Sequence, residues 1–214
     1  ALPISTHVEV VVDAPVWPLE NMGAVSVATL RDDKLWAVSL TLDDGYDNQT
    51  TWAKLYLDRY NYKATIAVAA SGLPERYQRA APEQLQSVVA AGWALANHTY
   101  SHKYASQFPE GEVGVVNDIL ADNAYIASII TDYVPLVFTS PFTDPDYTDI
   151  VRNNNTVLGF RLLQTRGWEG NYVDPGRVNT SEDLHVIGRA GFGGEEYGGR
   201  TYDPEQFDRI HNEL

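Results

Sequence analysis

Short apolar segments alternate with segments of helical periodicity along this chain, and this alternation is the strongest constraint on its fold. The apolar segments are rich in small and β-branched residues, which is typical of buried strands. Strands that alternate with helices favour a parallel sheet with the helices packed outside it. In the first helix we expect Trp52, Leu55 and Tyr56 to share one face. We predict strands at 37–42, 63–71, 93–99, 134–140, 157–164 and 185–191, and helices at 48–60, 82–91, 113–131, 146–153 and 203–214.

Polar residues follow directly after several of the predicted strands, and they help to choose between two folds. An open doubly wound sheet and a closed β/α barrel both have this order of elements. Asp43, Asp44, His98 and Ser140 each lie just past the C-terminal end of a strand. In a parallel barrel all of these ends open onto one face, where barrel enzymes carry their chemistry. Because no repeat or linker interrupts the sequence, we predict a single α/β domain over residues 1–214.

Charge and composition exclude several classes of function. The 214 residues carry a net charge of −14, which argues against nucleic acid or an anionic membrane as a partner, because phosphate binding requires a basic surface. The absence of cysteine excludes disulfides, thiolate zinc sites and a cysteine nucleophile. No apolar run approaches the roughly 18 residues of a transmembrane helix.

Two features bear on the location of the protein. The sequence opens at Ala1 rather than at a methionine, as it would after removal of a signal peptide or if it was cut at a chosen boundary. Sequons for N-glycosylation occur at Asn48, Asn154 and Asn179. Both features are compatible with export, and we expect an extracellular or cell-surface protein.

Two polar motifs carry the chemistry. VSLTLDDGYD at 38–47 places Asp43 and Asp44 side by side at a strand end, and NHTYSH at 97–102 places His98 and His102 four residues apart after another strand. If the second segment turns helically, both imidazoles reach one point. Alone, such a histidine pair is more often a surface or core feature, and paired aspartates more often form a turn or cap. Together at the strand ends of one sheet, they indicate a divalent metal site of two histidines and one carboxylate.

The two aspartates cannot serve the metal equally, because consecutive side chains that leave a strand diverge. One carboxylate completes the ligand set, and the other lies beside the metal-bound water. That second carboxylate would act as general base while the water attacks a carbonyl group. A hydrogen bond between the Thr99 hydroxyl and nearby backbone would fix the turn between the histidines.

These motifs resemble those of the polysaccharide deacetylases, the NodB-homology carbohydrate esterases. LTLDDGY at 40–46 is similar to the family's TFDDG motif, HTYSH at 98–102 to its H-[ST]-x-x-H motif, and SPF at 140–142 to its R-x-P-[YF] motif. The resemblance covers about residues 36–165. It implies a distorted, TIM-like (β/α) barrel with fewer than eight regular strands. It also implies metal-dependent hydrolysis of acetyl groups from a carbohydrate, usually the linear amide of N-acetylglucosamine units in a polysaccharide or oligosaccharide.

The resemblance assigns roles to individual residues. The first aspartate of the family motif is the catalytic base, which corresponds to Asp43. The second is a metal ligand, Asp44, and it is joined by His98 and His102. The backbone amide of the third motif's aromatic residue, here Phe142, helps to bind the oxyanion. The expected cofactor is one divalent metal ion, zinc first, with cobalt or nickel as alternatives, and the expected partner is an acetylated glycan.

The sequence departs from the family pattern at three places. Thr139 replaces the third-motif arginine that orients the catalytic aspartate, and Arg189 is a candidate replacement that is equally compatible with a surface ion pair. Thr143 stands where relatives usually have glycine, so we expect a remodelled loop beside the site. The family's general-acid histidine lies on a last strand, and we assign it to none of His7, His185 and His211. Either the acid is supplied unusually, or a last C-terminal strand is absent from this chain.

Two other functions are compatible with the same residues. A non-catalytic carbohydrate-binding relative would keep the barrel and the metal but lack the acid and the arginine. A metal-dependent amidase for small non-sugar substrates would differ only in its pocket. Exposed aromatic residues are candidates for stacking on sugar rings and equally for ordinary loop anchors: Trp168, Tyr172 and Tyr197. The sequence does not specify the glycan, the choice between N- and O-acetyl, or the oligomeric state.

Overall fold

A computed structural model of the chain describes residues 39–71, 78–166 and 186–188. All of these belong to one compact unit, Trp36–Leu214. Residues 1–38 lie outside the described residues. The single-domain assignment over 1–214 therefore stays a prediction, as does the helix expected at 203–214.

Six strands of the described residues form one sheet in which every neighbouring pair is parallel. Their order in space is their order in the chain. A doubly wound sheet reverses its strand order at a switch point, whereas a (β/α) barrel adds each strand beside the last one. The consecutive order confirms the prediction of a distorted (β/α) barrel. The strands are β1 Thr41–Leu42, β2 Thr65–Val68, β3 Ala94–Asn97, β4 Val137–Thr139, β5 Leu162–Arg166 and β6 Val186–Gly188.

From β1 to β5, helices lie in the crossover connections that parallel strands require. After β1, a π-type segment Gln49–Ala53 continues into a short α-helix, so the predicted helix 48–60 is present but irregular. Two 3₁₀ turns, Ala105–Gln107 and Pro141–Thr143, follow β3 and β4. The α-helices are α1 Lys54–Arg59, α2 Pro82–Ala90, α3 Glu112–Ile129, α4 Tyr147–Asn153 and α5 Asn155–Leu158. No helix of the described residues has both the length and the apolar character needed to cross a membrane.

The core consists of two apolar clusters, and α3 contributes to both. Ile126 of α3 packs into the first cluster with residues of β2, β3 and α2, and Ile119 packs into the second with residues of β4, β5 and α4. Full burial of one such side chain stabilises the fold by about 1.5–3 kcal/mol. The first cluster includes Ile66, Val68, Leu85, Val88, Leu95 and Ile126, and the second includes Val115, Ile119, Phe138, Tyr147, Val151 and Leu163.

The apolar face expected on the first helix does not point into this core. Trp52, Leu55 and Tyr56 are between 59% and 65% exposed. The inward side of this segment instead carries Thr50, which is buried, and Leu57, which packs against the first cluster. Apolar spacing predicted a shared face, but the π-type start of the segment changes the rotation per residue and therefore which face meets the sheet.

Candidate metal centre and active site

The predicted site residues meet at the C-terminal ends of the parallel strands. Asp43 and Asp44 follow β1 directly, and His98 follows β3. The third motif, Ser140–Phe142, follows β4 and forms the 3₁₀ turn there. Since parallel strands end on the same side of the sheet, these loops form one surface.

A sharp turn after β1 directs Asp44 across this surface. Asp44 and Gly45 both have positive φ angles, 81° and 77°. Aspartate tolerates this left-handed region better than most residues, and glycine adopts it without steric cost. The side chain of Gln49 closes the turn, because its Nε2 donates to the carbonyl oxygen of Asp43 and its Oε1 accepts the N–H of Tyr46 at 3.1 Å.

The three expected metal ligands converge. Oδ1 of Asp44 lies 3.4 Å from Nε2 of His98 and 3.0 Å from Nε2 of His102. One ligand atom from each residue lies within 4.8 Å of the other two, an arrangement that could bind a metal ion. His98 is almost fully buried, whereas Asp44 and His102 remain partly accessible. The group is therefore open to solvent on one side.

Hydrogen bonding fixes the orientation of His98. Its Nδ1 lies 2.7 Å from the carbonyl oxygen of Thr139, which can only accept, so Nδ1 carries the proton. Nε2 of the neutral ring then presents a lone pair towards the carboxylate of Asp44. Two acceptors at this distance need a cation or a second proton between them. The chemistry of the donor set therefore fits a bound cation.

The pKa values of Asp44 and His98 are shifted by their mutual contact. Burial by itself would raise the pKa of Asp44, but hydrogen bonds from His102 and His98 outweigh it and hold that pKa well below its usual range. Burial would lower the pKa of His98, but Asp44 and the nearby charge of Asp43 raise it overall. The carboxylates thus create a negative environment that favours positive charge on the imidazole of His98.

The two histidines reach the same point through a loop rather than a helical turn. Thr99 and His102 have positive φ angles of 64° and 49°, so the helical turn considered for this segment is not what forms. The expected role of Thr99 is confirmed, because its Oγ1 accepts the N–H of His102 at 3.1 Å. The N–H of Thr99 in turn donates to Oδ1 of Asn97 at 2.9 Å.

Helix α3 supplies a buried support that the sequence analysis missed. The carboxylate of Asp122 is fully buried and accepts two backbone N–H groups, from Ala70 at 3.1 Å and from His98 at 3.2 Å. Asp118, one turn earlier, accepts the N–H of Ser101 at 3.1 Å. Burial raises the pKa of Asp122 well above its usual value, against the opposing effect of these two hydrogen bonds. The signal in the sequence was Asp122, which lies about one helical turn after Ile119 on a face whose other buried residues are apolar.

The position of the missing arginine is filled by a neutral hydrogen-bond chain. The hydroxyl of Thr139 donates to Oε1 of Gln164 at 2.8 Å, and Nε2 of Gln164 donates to Oγ1 of Thr41 at 3.3 Å. This chain links β4, β5 and β1 two residues before Asp43. Arg189, the proposed replacement, lies outside the described residues, as do the three unassigned histidines and the candidate stacking residues Trp168, Tyr172 and Tyr197.

Phe142 of the third motif lies beside His102, one of the expected metal ligands. Its ring centroid is 4.6 Å from that of His102 and 4.2 Å from that of Tyr104, on which it stacks with 14° between the planes. Phe142 and Thr143 both have positive φ angles, 58° and 52°. Thr143 thus has a left-handed backbone conformation, which glycine adopts without steric cost. This position has the backbone geometry expected for the glycine of the relatives, although the residue is threonine.

Comparison with known proteins agrees with the fold and identifies the family. A family model for polysaccharide deacetylases matches residues 31–163, more than half of the chain, and the protein belongs to this family of carbohydrate deacetylases. Among curated proteins, a gellan lyase from Bacillus sp is 32% identical over 88 residues, which are 41% of this chain and 3% of that protein. The chain therefore spans only a small fraction of the length of that relative.

Two solved structures share the fold. The deacetylase PplD of Streptococcus pyogenes, solved in complex with acetate, superposes with a TM-score of 0.58 at 20% identity, over 74% of this chain and 66% of that one. The deacetylase domain of BpsB from Bordetella bronchiseptica superposes with a TM-score of 0.52 at 19% identity, over 70% of this chain and 69% of that one. At this level of identity the likeness concerns the fold.

Proposed function

We propose that this protein is a metal-dependent hydrolase that removes acetyl groups from a carbohydrate, with glycans containing N-acetylglucosamine as the first candidates. The observation that carries the proposal is the convergence of Asp44 Oδ1 with the Nε2 atoms of His98 and His102. Membership of the polysaccharide deacetylase family supports the substrate class and the reaction. The bond broken would be the linear amide of an N-acetyl group.

The ligand geometry supports a divalent cation, with zinc first and cobalt or nickel as alternatives. Tetrahedral bonds of about 2.1 Å separate two ligand atoms by about 3.4 Å. The separation of 3.4 Å from Asp44 to His98 matches this spacing, and the separation of 3.0 Å from Asp44 to His102 is somewhat shorter. Asp44, His98 and His102 would hold a divalent cation, which would supply a Lewis acid to polarise the acetyl carbonyl and to acidify the attacking water.

The protein's own residues orient the reactants and move the proton. Thr139 holds His98 with Nε2 turned towards Asp44, which keeps the ligand set assembled before substrate binds. Asp43, the neighbouring carboxylate, takes a proton from the attacking water as general base. The backbone N–H of Phe142 donates to the oxygen that becomes negative as the carbonyl is attacked, an interaction typically worth about 3 kcal/mol in the transition state.

A role for Arg189 belongs to the same proposal. An arginine near Asp43 would orient the base in place of the third-motif arginine that Thr139 replaces. Arg189→Ala should then lower turnover far more than stability, and unchanged turnover would remove Arg189 from the mechanism. The general acid remains unassigned.

The test is release of acetate from tetra-N-acetylchitotetraose and from a chromogenic acetyl ester, with zinc or cobalt added. Asp43→Asn should reduce the rate by about 100-fold or more, because general-base catalysis contributes about 10²–10⁴. Asp149→Asn neutralises an exposed carboxylate of α4 and serves as the matched control, which should retain the rate of the unmodified protein. An equal rate in Asp43→Asn would exclude Asp43 as the base.

The same assay distinguishes the alternatives. A non-catalytic carbohydrate-binding protein would bind the oligosaccharide but release no acetate at any metal concentration. The neutral chain at Thr139 is the observation that favours this alternative, because it occupies the position of a charged catalytic partner. A small-molecule amidase would release acetate from simple N-acetyl amines and leave the glycan intact.

An extracellular or cell-surface location is part of the proposal. It rests on the expected substrate, since acetylated structural glycans lie outside the membrane, and on the sequon at Asn48, which is exposed. Mass spectrometry of the protein purified from its native source would show whether Asn48 carries a glycan.

A further inference from the structure

Three aromatic rings lie in series beside the candidate metal centre. The ring of His102 contacts that of Phe142, and Phe142 stacks on Tyr104 at 4.2 Å with nearly parallel planes. Only one ring therefore separates Tyr104 from a metal ligand. The family motifs assign no role to this tyrosine, which follows the second motif in the sequence.

Tyr104 keeps a large part of its surface open to solvent. The residue is 41% exposed although one face of its ring is covered by Phe142. Because Phe142 covers one face, a ligand can contact this ring only from the opposite face or from its edge. An exposed tyrosine ring beside a candidate active site can contribute strongly to ligand binding, because it provides a large apolar area and a polar hydroxyl group.

The backbone around Tyr104 is firmly attached to the rest of the site. The N–H of Tyr104 donates to Oε1 of Gln107 at 2.9 Å, and the N–H of Gln107 donates to the carbonyl oxygen of Tyr104 at 3.0 Å. On one side, the carbonyl oxygen of Lys103 accepts the buried hydroxyl of Tyr147 at 2.7 Å.

On the other side, a buried carboxylate joins the two loops that carry the stacked rings. Oδ2 of Asp144 accepts the N–H of Ala105 at 2.9 Å, while Oδ1 of the same group accepts the N–H of Asp146 at 3.0 Å. Asp144 follows the turn that contains Phe142, and Ala105 follows Tyr104. The stacked rings of Phe142 and Tyr104 are thus fixed relative to each other before a ligand binds. Binding therefore costs little conformational entropy at these two side chains.

We infer that Tyr104, backed by Phe142, is a platform on which a pyranose ring of the glycan substrate stacks, next to the sugar unit whose acetyl group is removed. The inference rests on the proposed function for the class of substrate. A pyranose has an apolar C–H face that matches the tyrosine face opposite Phe142 and a hydroxyl rim that can bond the phenol. The net charge of −14 further favours an uncharged ligand over an anionic one. Tyr104 is then a specificity-determining residue that selects sugar chains over small acetylated compounds.

The test compares Tyr104→Ala with Tyr104→Phe on two substrates, tetra-N-acetylchitotetraose and ethyl acetate. For Tyr104→Ala we expect the ratio of kcat/KM for the glycan to that for the ester to fall about tenfold, mostly through KM, as loss of an aromatic contact predicts. Tyr104→Phe keeps the ring and should retain most of the ratio. Tyr62→Ala removes an exposed tyrosine that precedes β2, at the opposite end of the strands, and should leave the ratio unchanged.

A binding arm separates failure of this inference from failure of the hydrolase. Calorimetry measures the Kd of the zinc-loaded Asp43→Asn protein for the same oligosaccharide, with and without Tyr104→Ala. A Kd that rises about tenfold supports the platform even if the unmodified protein releases no acetate. Three results would overturn the platform: an unchanged ratio and Kd in Tyr104→Ala, a fall of the ratio in Tyr104→Phe equal to that in Tyr104→Ala, or no binding of the oligosaccharide at all. The hydrolase proposal is tested independently by acetate release from the unmodified protein.

Discussion

The hydroxyl of Thr139 donates a 2.8 Å hydrogen bond to the side-chain oxygen of Gln164, inside the barrel and below the candidate metal centre. Both side chains are buried. Where the family motif has a charged arginine, this chain therefore has a neutral pair, and the same threonine orients His98 through its carbonyl oxygen. One residue thus has two separable contacts, one from its side chain and one from its backbone.

Replacement of Thr139 by valine should be destabilising by about 1–3 kcal/mol, because the oxygen of Gln164 is left buried without its donor. Thr139→Ser keeps the hydroxyl and should cost less. Urea unfolding of the three proteins measures the difference. Since the carbonyl oxygen of residue 139 is retained in both variants, zinc affinity should change little, and a large loss of affinity in Thr139→Val would show that the side chain itself supports the metal ligands.

Asp122→Asn should weaken metal binding and lower the stability of the metal-free protein. The carboxylate of Asp122 accepts two N–H groups with its two oxygens, whereas asparagine offers one acceptor and turns an NH₂ group towards the other donor. The expected cost is about 1–3 kcal/mol in unfolding free energy. His98 should shift with its backbone, so the Kd for zinc should rise as well.

Asp118→Asn is the matched control for this change. Asp118 accepts the N–H of Ser101 through one oxygen, which asparagine can replace. Calorimetric titration with zinc should therefore find a smaller effect in Asp118→Asn. Equal zinc affinity in both variants would contradict the role assigned to Asp122.

Thr143→Gly should stabilise the protein. Thr143 has a φ angle of 52°, a left-handed conformation that costs a residue with a Cβ about 1–2 kcal/mol. Glycine relieves this strain but loses more backbone entropy on folding, about 0.5–1 kcal/mol, so the net gain should be about 0.5–1 kcal/mol. Thr143→Ala keeps the Cβ and should not gain. Thermal unfolding that ranks alanine above glycine would refute the strain at this position.

Tyr147 should make the protein sensitive to alkaline pH. Burial, followed by the charges of Asp118 and Asp144, raises the pKa of Tyr147 in the folded state. A pKa raised above the unfolded value of about 10 means that the associated stability is present below about pH 10 and is lost as pH rises further. Tyr147→Phe removes this loss but also the hydrogen bond to Lys103, worth about 1 kcal/mol.

Urea unfolding from about pH 7 to about pH 11 tests this expectation. The unmodified protein should be the more stable at neutral pH, and its advantage over Tyr147→Phe should shrink as the pH rises. Tyr62→Phe, at an exposed position, should follow the unmodified protein throughout. A constant difference between the unmodified protein and Tyr147→Phe across the range would show that Tyr147 does not titrate with unfolding.

The barrel and the grouping of Asp44 with the two histidines were predictable from the sequence. Both depend on local signals: apolar strands in alternation with helices, and polar residues directly after strands. Parallel pairing then places the end of β3 and the end of β1 on the same edge of the sheet, which puts His98 and Asp44 on one surface.

Other features depended on tertiary structure and could not be read from local patterns. The stacking of Tyr104 on Phe142 joins loops after β3 and β4, and only their packing shows it. Asp122 lies on an apolar stripe, where its carboxylate is tolerated because two distant N–H groups meet it. Trp52 showed apolar periodicity, but periodicity does not specify which face of a helix meets the sheet.

The central claim is that Asp44, His98 and His102 bind one divalent cation with Asp43 beside it. The most direct measurement is a crystal structure of the zinc-loaded protein with anomalous diffraction at the zinc edge. The account predicts one anomalous peak about 2.0–2.2 Å from Nε2 of both histidines and from an oxygen of Asp44. Zinc-loaded crystals with no peak among these three side chains, or with either imidazole turned away from Asp44, would contradict it.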